Sequence, residues 1–581
     1  MIKEGKVEMV FKKFIPLNLQ EPYNRNLMMN DLLAGFTLFV MLVPQGMAYA
    51  MLAGLPPVMG LYASTLPLLI YALFASSRHL SVGPTAITSL LVFSGISAVG
   101  QPGTTEYVTL VILLAFMVGI FQFLFGVLKL GFIVRFISPS VLGGYTSAAA
   151  IIIALSQLKH LIGIDLGNYF QVHLLIHDVV NKIGGIHGVT LLIGVTSIAF
   201  LVLLKKVSPR VPAALLLIFL SIIIVYSFGL NKEGVKIVGM VPSGFPSLLF
   251  PTITLAAVKQ IILPALTIAL LGFMESLAIG KSIADKEKYK INPNRELKAL
   301  GLANIFGSFF QILPINGSFS RSAVNHQSGG ATQMVSIFTG MLILITLLFF
   351  TSYFYYLPNA VLAAIIMVAV YKLIDLKQFI KLIKIKPVDG WSWLVTFLAT
   401  LLVGIQWGIL IGATFSFYQL LSRMFRSSII EIGYLEMEKT FRDLKRFPQA
   451  KTIDDIIFLR IDSSLHFANV FYLEEKIGHL LFQRSKVNLV ILDFSGVNDM
   501  DTTACKSLEE FKDQLKQQSN IELYFVGMKG SVRDTAYRAG WHTKYKKEIG
   551  YVSIEKLLEE KKITFSSNGK SETETPFIYM I

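Results

Sequence analysis

The stretch "NGSFSRSAVN", residues 316–325, is small, polar and rich in hydroxyls, and apolar sequence flanks it on both sides. Gly, Asn and closely spaced Ser are poor material for the middle of a helix. Lipid offers no hydrogen-bond partners, so a broken backbone at membrane depth must line a cavity or lie buried in protein. The stretch therefore predicts a half-helix that starts part-way through a membrane near Gly317. Its first turn carries Arg321, with no acidic residue beside it. A second stretch, "SVGPTAI" at 81–87, has the same character and predicts another half-helix starting near Gly83. Two such starts aim free N–H groups and positive dipole ends into one cavity, which suits an anion.

Around these two stretches the chain is membrane-like. Its 581 residues are 54% hydrophobic and 15% charged, with a mean hydropathy of +0.62. Apolar segments fall at 31–52, 57–75, 83–98, 107–128, 132–157, 187–204, 211–229, 257–280, 297–313, 317–325, 333–352, 358–373, 391–405 and 407–422. The net charge of +15 could suggest nucleic acid, but the positive residues sit between the apolar blocks, as in cytoplasmic loops. Arg78, Lys129, Arg135, Lys205, Lys206, Arg210, the lysines of 281–298 and Lys372, Lys377, Lys381, Lys384 and Lys386 all follow even-numbered segments. This alternation predicts an even number of spans with both termini cytoplasmic, in a plasma (bacterial inner) membrane. The N-terminus has no apolar stretch of signal-peptide type. The single cysteine, Cys505, excludes an intramolecular disulfide framework and a thiolate zinc cluster.

The expected fold class is a polytopic α-helical membrane protein of about fourteen segments, followed by a small α/β domain. "ISPSVLGG" in the first half corresponds to "YLPNAVLAA" in the second, and each half holds one broken half-helix. Halves of seven spans must be inverted copies, and paired broken segments in inverted halves point to a transporter site. The expected organisation is a cytoplasmic segment 1–30, a transmembrane domain 31–425 with repeats at 31–230 and 255–425, an α/β domain 435–560 and a loose tail 561–581. The strands of the α/β domain are read in "DDIIFLRI", "VNLVILDFS" and "IELYFVG".

The site is expected between 83–87 and 317–321, a range that includes Thr85, Ala86, Phe319, Ser320 and Arg321. Thr85, Ser318 and Ser320 bring hydroxyl donors, and Arg321 brings a full charge. Glu275, in "ALLGFMESLAIGKS", is the second intramembrane charge. Gln45 is its counterpart by position and shares a helix face with Tyr49. A carboxyl group in a low-dielectric cavity can carry a proton, which favours proton coupling. Sodium is the competitor, but it would want more oxygens than the next helical turn offers. Structural pairing of Glu275 with Arg321 is the alternative to coupling.

"PQGMAYAMLAGLPPVMGLYASTLPLLIYALFASSRHLSVGPTAI" (44–87) and "LKALGLANIFGSFFQILPINGSFSRSAVNHQSGGATQM" (297–334) resemble the SulP family of anion transporters. "LVILDFSGVNDMDTTACKSLEEF" (489–511) resembles STAS domains. The resemblance implies two inverted seven-segment repeats, a core domain that moves against a gate domain, and a homodimer. It implies an anion held by Gln45, Tyr49, Thr85, Phe319, Ser320 and Arg321, and cation-coupled symport where an acid stands at Glu275. Sulfate is the substrate the family suggests; bicarbonate and dicarboxylates present the same chemistry. The STAS resemblance places Thr503 at the phosphorylated position of related regulators and suggests a cytoplasmic partner. The alternative is that Thr502 and Thr503 cap the following helix.

No P-loop, metal spacing or nucleophile–base pair is present, so neither an enzyme nor a primary pump is expected, and no cofactor. An uncoupled anion channel or exchanger, and a STAS-based signalling scaffold, are the remaining readings.

Overall fold

The structure is a computed structural model and describes residues 23–132, 138–167, 171–208, 212–426, 428–563 and 565. Most of the expected N-terminal segment and of the expected loose tail, together with Arg135 and Arg210, lie outside the described residues. The chain divides into two compact units, Met1–Phe417 and Tyr418–Ile581.

In chain order the first unit contains α1 (Arg25–Leu52), α2 (Pro57–Tyr62), α3 (Leu66–Phe74), β1 (Val82–Gly83), α4 (Ala86–Ile96), α5 (Thr105–Val127), α6 (Pro139–Ser156), α7 (Leu158–Ile162), α8 (Val172–Asn181), α9 (Gly188–Val207) and α10 (Ala213–Phe228). It continues with α11 (Leu255–Lys286), α12 (Pro293–Ser308), β2 (Asn316–Gly317), α13 (Phe319–Gln327), α14 (Met334–Phe349), α15 (Asn359–Val370), α16 (Leu376–Ile385), α17 (Pro387–Leu402) and α18 (Ile405–Phe425), which runs across the division. Among the described residues, six helical stretches are long and apolar enough, by length and composition, to cross a membrane.

Every expected apolar segment carries helix, but 57–75 is broken. Pro67 has no backbone N–H to donate to the preceding turn, which disfavours a helix running through it: α2 stops at Tyr62 and α3 starts afresh at Leu66, with Pro67 in its first turn, where that N–H is not needed. At the break the Ser64 and Thr65 hydroxyls bond back to Gly60 and Tyr62 carbonyls. The ninth segment also ends early, at Ser308, and an extended link leads to β2. The basic stretch 376–385, expected to be loop, is the helix α16.

Close packing holds the helices where the site needs them. A Cβ on Gly60 would run into the backbone carbonyl of Gly46, so α2 presses directly on α1 beside Gln45. The charge at the foot of α12 is fully bonded. Glu296 accepts from Tyr71 Oη, Ser76 N and Ser76 Oγ at 2.6 Å each and from Ser77 N at 2.7 Å. It pins the end of α3 and the chain leading into β1. Glu296→Ala strands these donors in a buried place. It is expected to cost about 3–5 kcal/mol, seen as a lower melting temperature in detergent.

The second unit comprises β3 (Ile429–Leu435), β4 (Thr440–Asp443), β5 (Ile456–Ile461), α19 (Val470–Gln483), β6 (Leu489–Asp493), α20 (Thr502–Ser519), β7 (Glu522–Val526), α21 (Gly530–Arg538), α22 (Trp541–Lys544) and α23 (Ile554–Glu560). The sheet order is β4-β3-β5-β6-β7, with β5, β6 and β7 parallel and β3 antiparallel to both its neighbours. Its apolar residues fall into two clusters. The three buried strands read from the sequence are β5, β6 and β7; the hairpin β3–β4 extends the sheet back to Ile429.

Candidate functional site

The polar breaks at 81–87 and 316–325 meet. β1 and β2 pair antiparallel, Val82 opposite Gly317 and Gly83 opposite Asn316. Ser318 N donates to Ser81 O at 2.9 Å, and Ser81 N donates to Ser322 Oγ at 2.9 Å. α4 begins just after β1 and α13 just after β2, so the two half-helix starts are fixed side by side. α11 is tied to the same point, since Gly317 N donates to Ser276 Oγ at 2.7 Å.

Arg321 crosses from α13 to the chain before α4. Its Nη1 donates to Pro84 O at 3.0 Å. A Cβ on Gly83 would lie 3.2 Å from Nη2, and Gly83 has φ +141°, so glycine is needed there for room and for backbone conformation. Arg321 is 0% exposed, yet Nε and Nη2 have no partner among the described residues. No acid lies within ion-pair distance of it among the described residues, so Glu275–Arg321 is not a direct pair. Tyr49 on α1 and Glu275 on α11 are its electrostatic neighbours. A buried cation with free donors, beside two helix N-termini, leaves this point positively charged and under-bonded.

The other expected residues fall around it. Gln45 lies one turn from Tyr49 on α1, with its Oε1 buried and without a partner among the described residues. Thr85 and Ala86 are buried at the start of α4. The Thr85 hydroxyl donates to Thr88 Oγ1 at 2.9 Å and accepts from Thr88 N, so its proton is engaged within α4. Phe319, 61% exposed, and Ser320 lie on the open side of α13. Ser318 precedes α13 without a side-chain cap bond, which leaves its hydroxyl uncommitted there.

Sequence reasoning missed two features. One is a buried amide chain behind the site. Asn304 Nδ2 donates to Gln122 Oε1, Gln122 Nε2 to Asn316 Oδ1, and Asn316 Nδ2 to Thr88 Oγ1, at 3.0, 3.2 and 3.0 Å. Gln122, a lone amide in the apolar α5, was the available signal. The other is Tyr145 on α6. Its hydroxyl is buried and has no partner among the described residues, and Glu275 is its electrostatic neighbour. Nothing in "GGYTSAAA" marks it.

Thr503 belongs to the second unit, exposed in the first turn of α20. The cap expected from Thr502 and Thr503 is provided by Asp501 instead. Its Oδ1 accepts from Ala504 N at 2.7 Å, and its Oδ2 accepts from Phe467 N at 2.8 Å. Thr502 and Thr503 sit one and two positions past the cap position that Asp501 fills. Cys505 is a packed residue; burial pushes its thiol up to about 11.

Comparison with known proteins gives a consistent set. The profile of the sulfate permease family matches residues 28–396, and that of the STAS domain matches 447–549. "Sulfate transporter 4.1, chloroplastic" of Arabidopsis thaliana is 34% identical over 547 residues, covering 91% of this chain and 79% of that protein. "High affinity sulfate transporter 2" of Stylosanthes hamata is 32% identical over 513 residues, covering 84% and 77%. The murine Slc26a9 anion transporter in its inward-facing state superposes with a TM-score of 0.84 at 25% identity, covering 93% of this chain and 92% of that one.

Proposed function

Since the chain belongs to the sulfate permease family, whose members are transporters and not enzymes, we propose that it takes up sulfate by proton-coupled symport. The anion binds where α4 and α13 begin, and both termini face the cytoplasm of a plasma membrane. The observation that carries this reading is the buried Arg321 guanidinium, with two unused nitrogens and no acid in contact among the described residues. Sulfate offers four acceptor oxygens to those nitrogens, to Ser318 and Ser320, and to the free N–H groups of two helix starts.

The charges explain the coupling. One guanidinium beside a dianion leaves one negative charge uncompensated. An ionised Glu275 in the same low-dielectric region would add a second, and two uncompensated charges are costly there. A proton on Glu275 removes that repulsion, so loading the anion and loading the proton go together. Tyr145 Oη, near Glu275 and otherwise unpartnered, supplies a donor to the carboxyl or to the anion. Tyr145→Phe is expected to slow uptake about tenfold while leaving the melting temperature unchanged or slightly higher, because the hydroxyl it deletes has no partner to lose.

The test is uptake of labelled sulfate, bicarbonate and fumarate into proteoliposomes under an inward proton or sodium gradient. Sulfate accumulation driven by protons alone supports the reading. Sodium-driven bicarbonate uptake would keep the site and overturn both substrate and ion. Downhill sulfate flux with neither gradient effective would make the protein an uncoupled exchanger or channel.

A further inference from the structure

The helix α16 lies between two membrane-embedded helices and has little freedom to leave the bilayer surface. Only residues 371–375 separate it from α15, and Lys386 alone separates it from α17. Its sides divide into three strips. Gln378, Phe379, Leu382 and Ile383 face the protein: Phe379 packs on Trp393 with ring centroids 5.0 Å apart, Ile383 lies against Gly390, and Gln378 fills the space over Gly143 of α6. The next strip is apolar and uncovered, with Leu376 52% and Ile380 54% exposed. The third strip holds Lys377, Lys381 and Lys384, all exposed, with Lys372 and Lys386 at the ends.

None of these five lysines has an ion-pair partner among the described residues. The Asp375 carboxylate is used within the helix, accepting from Gln378 N at 3.0 Å. Tyr371 and Trp391, both exposed, flank the helix at its two ends, as aromatic residues do at the level of lipid headgroups. An apolar strip bordered by unpaired lysines and aromatics is what an in-plane interfacial helix presents to acyl chains and acidic headgroups.

We propose that α16 is a binding surface for acidic phospholipid headgroups, with Leu376 and Ile380 set into the acyl boundary and Lys377, Lys381, Lys384 and Lys386 on the phosphates. The lysines complement the net charge of an acidic leaflet; in a zwitterionic leaflet each phosphate is already balanced by its own choline and pairs with them more weakly. Through Phe379 and Gln378 the contact also braces α17 and α6, the helix that carries Tyr145.

The test uses the full chain in nanodiscs and needs no transport. Tryptophan fluorescence is measured with brominated phosphatidylglycerol or brominated phosphatidylcholine at equal mole fraction. The proposal expects quenching by the acidic lipid to be stronger, corresponding to about fivefold local enrichment. The combined variant K377Q/K381Q/K384Q/K386Q should lose that preference and keep its quenching by the neutral lipid, which also reports that the helix is still docked. Trp391→Phe should remove most of the difference and so assign it to this surface. The single variant Lys381→Gln, which removes one exposed charge, should give an intermediate preference. Equal quenching by both lipids in the wild type, or a preference unchanged by the lysine variants, would overturn the proposal.

Discussion

Arg321→Ala is expected to lower sulfate uptake by about a hundredfold or more and to leave the protein folded. Two charge-assisted hydrogen bonds are at stake, each worth roughly 1.5–3 kcal/mol, and about 1.4 kcal/mol is tenfold in binding. The stability side runs the other way from most buried-charge deletions. Among the described residues Arg321 has no carboxylate to strand, and its one direct side-chain bond is to Pro84 O. Removing it deletes two unpartnered buried nitrogens, which offsets the cavity it leaves. The measurement is uptake alongside a melting curve of the same preparation. Normal uptake by the alanine variant would mean that the anion binds elsewhere. Arg321→Lys should recover little, because an ammonium cannot reach Pro84 O and still offer two fixed donors to the anion.

Glu275→Gln is expected to remove the proposed proton dependence of uptake. If the loaded form needs a protonated carboxyl, as proposed, the wild-type rate should rise as the outside pH falls. The rise reaches up to about tenfold per pH unit until the carboxyl is mostly protonated. Glutamine resembles the protonated carboxyl at every pH. The variant should therefore bind sulfate, show a flat pH profile and fail to accumulate sulfate against its gradient. Counterflow of labelled against unlabelled sulfate, which needs no net proton movement, should survive. A pH profile unchanged from the wild type would sink proton coupling through this residue and return sodium to consideration.

Much of this architecture could be read from the sequence, and the failures have physical reasons. The half-helices were legible because Gly, Pro and Ser interrupt apolar runs at 81–87 and 316–325. The two-residue strands β1 and β2 were not, since so short a ladder leaves no periodicity. The lysines after α15 were read for their sign alone, which hid the helical spacing of Leu376, Phe379, Ile380 and Ile383 in α16. The cap falls at Asp501, one residue before Thr502 and two before Thr503, a difference finer than a sequence pattern resolves. Tyr145 and the chain through Gln122, Asn304 and Asn316 depend on which helices touch, which is set by packing across long separations. Glu296 stands just before the segment read at 297–313, and nothing in the sequence shows that its four donors come from a different part of the chain.

The antiparallel ladder of β1 and β2, with Gly317 held to Ser276 of α11, has a thermodynamic consequence. It staples the starts of α4 and α13 and the helix that carries Glu275 into one rigid cradle. A cradle whose ligands keep their mutual distances during the transport stroke offers the same affinity to either face of the membrane. Such a carrier has no built-in direction: it runs forwards or backwards as the two gradients dictate, and reversing the imposed pH difference should empty loaded vesicles as readily as it filled them.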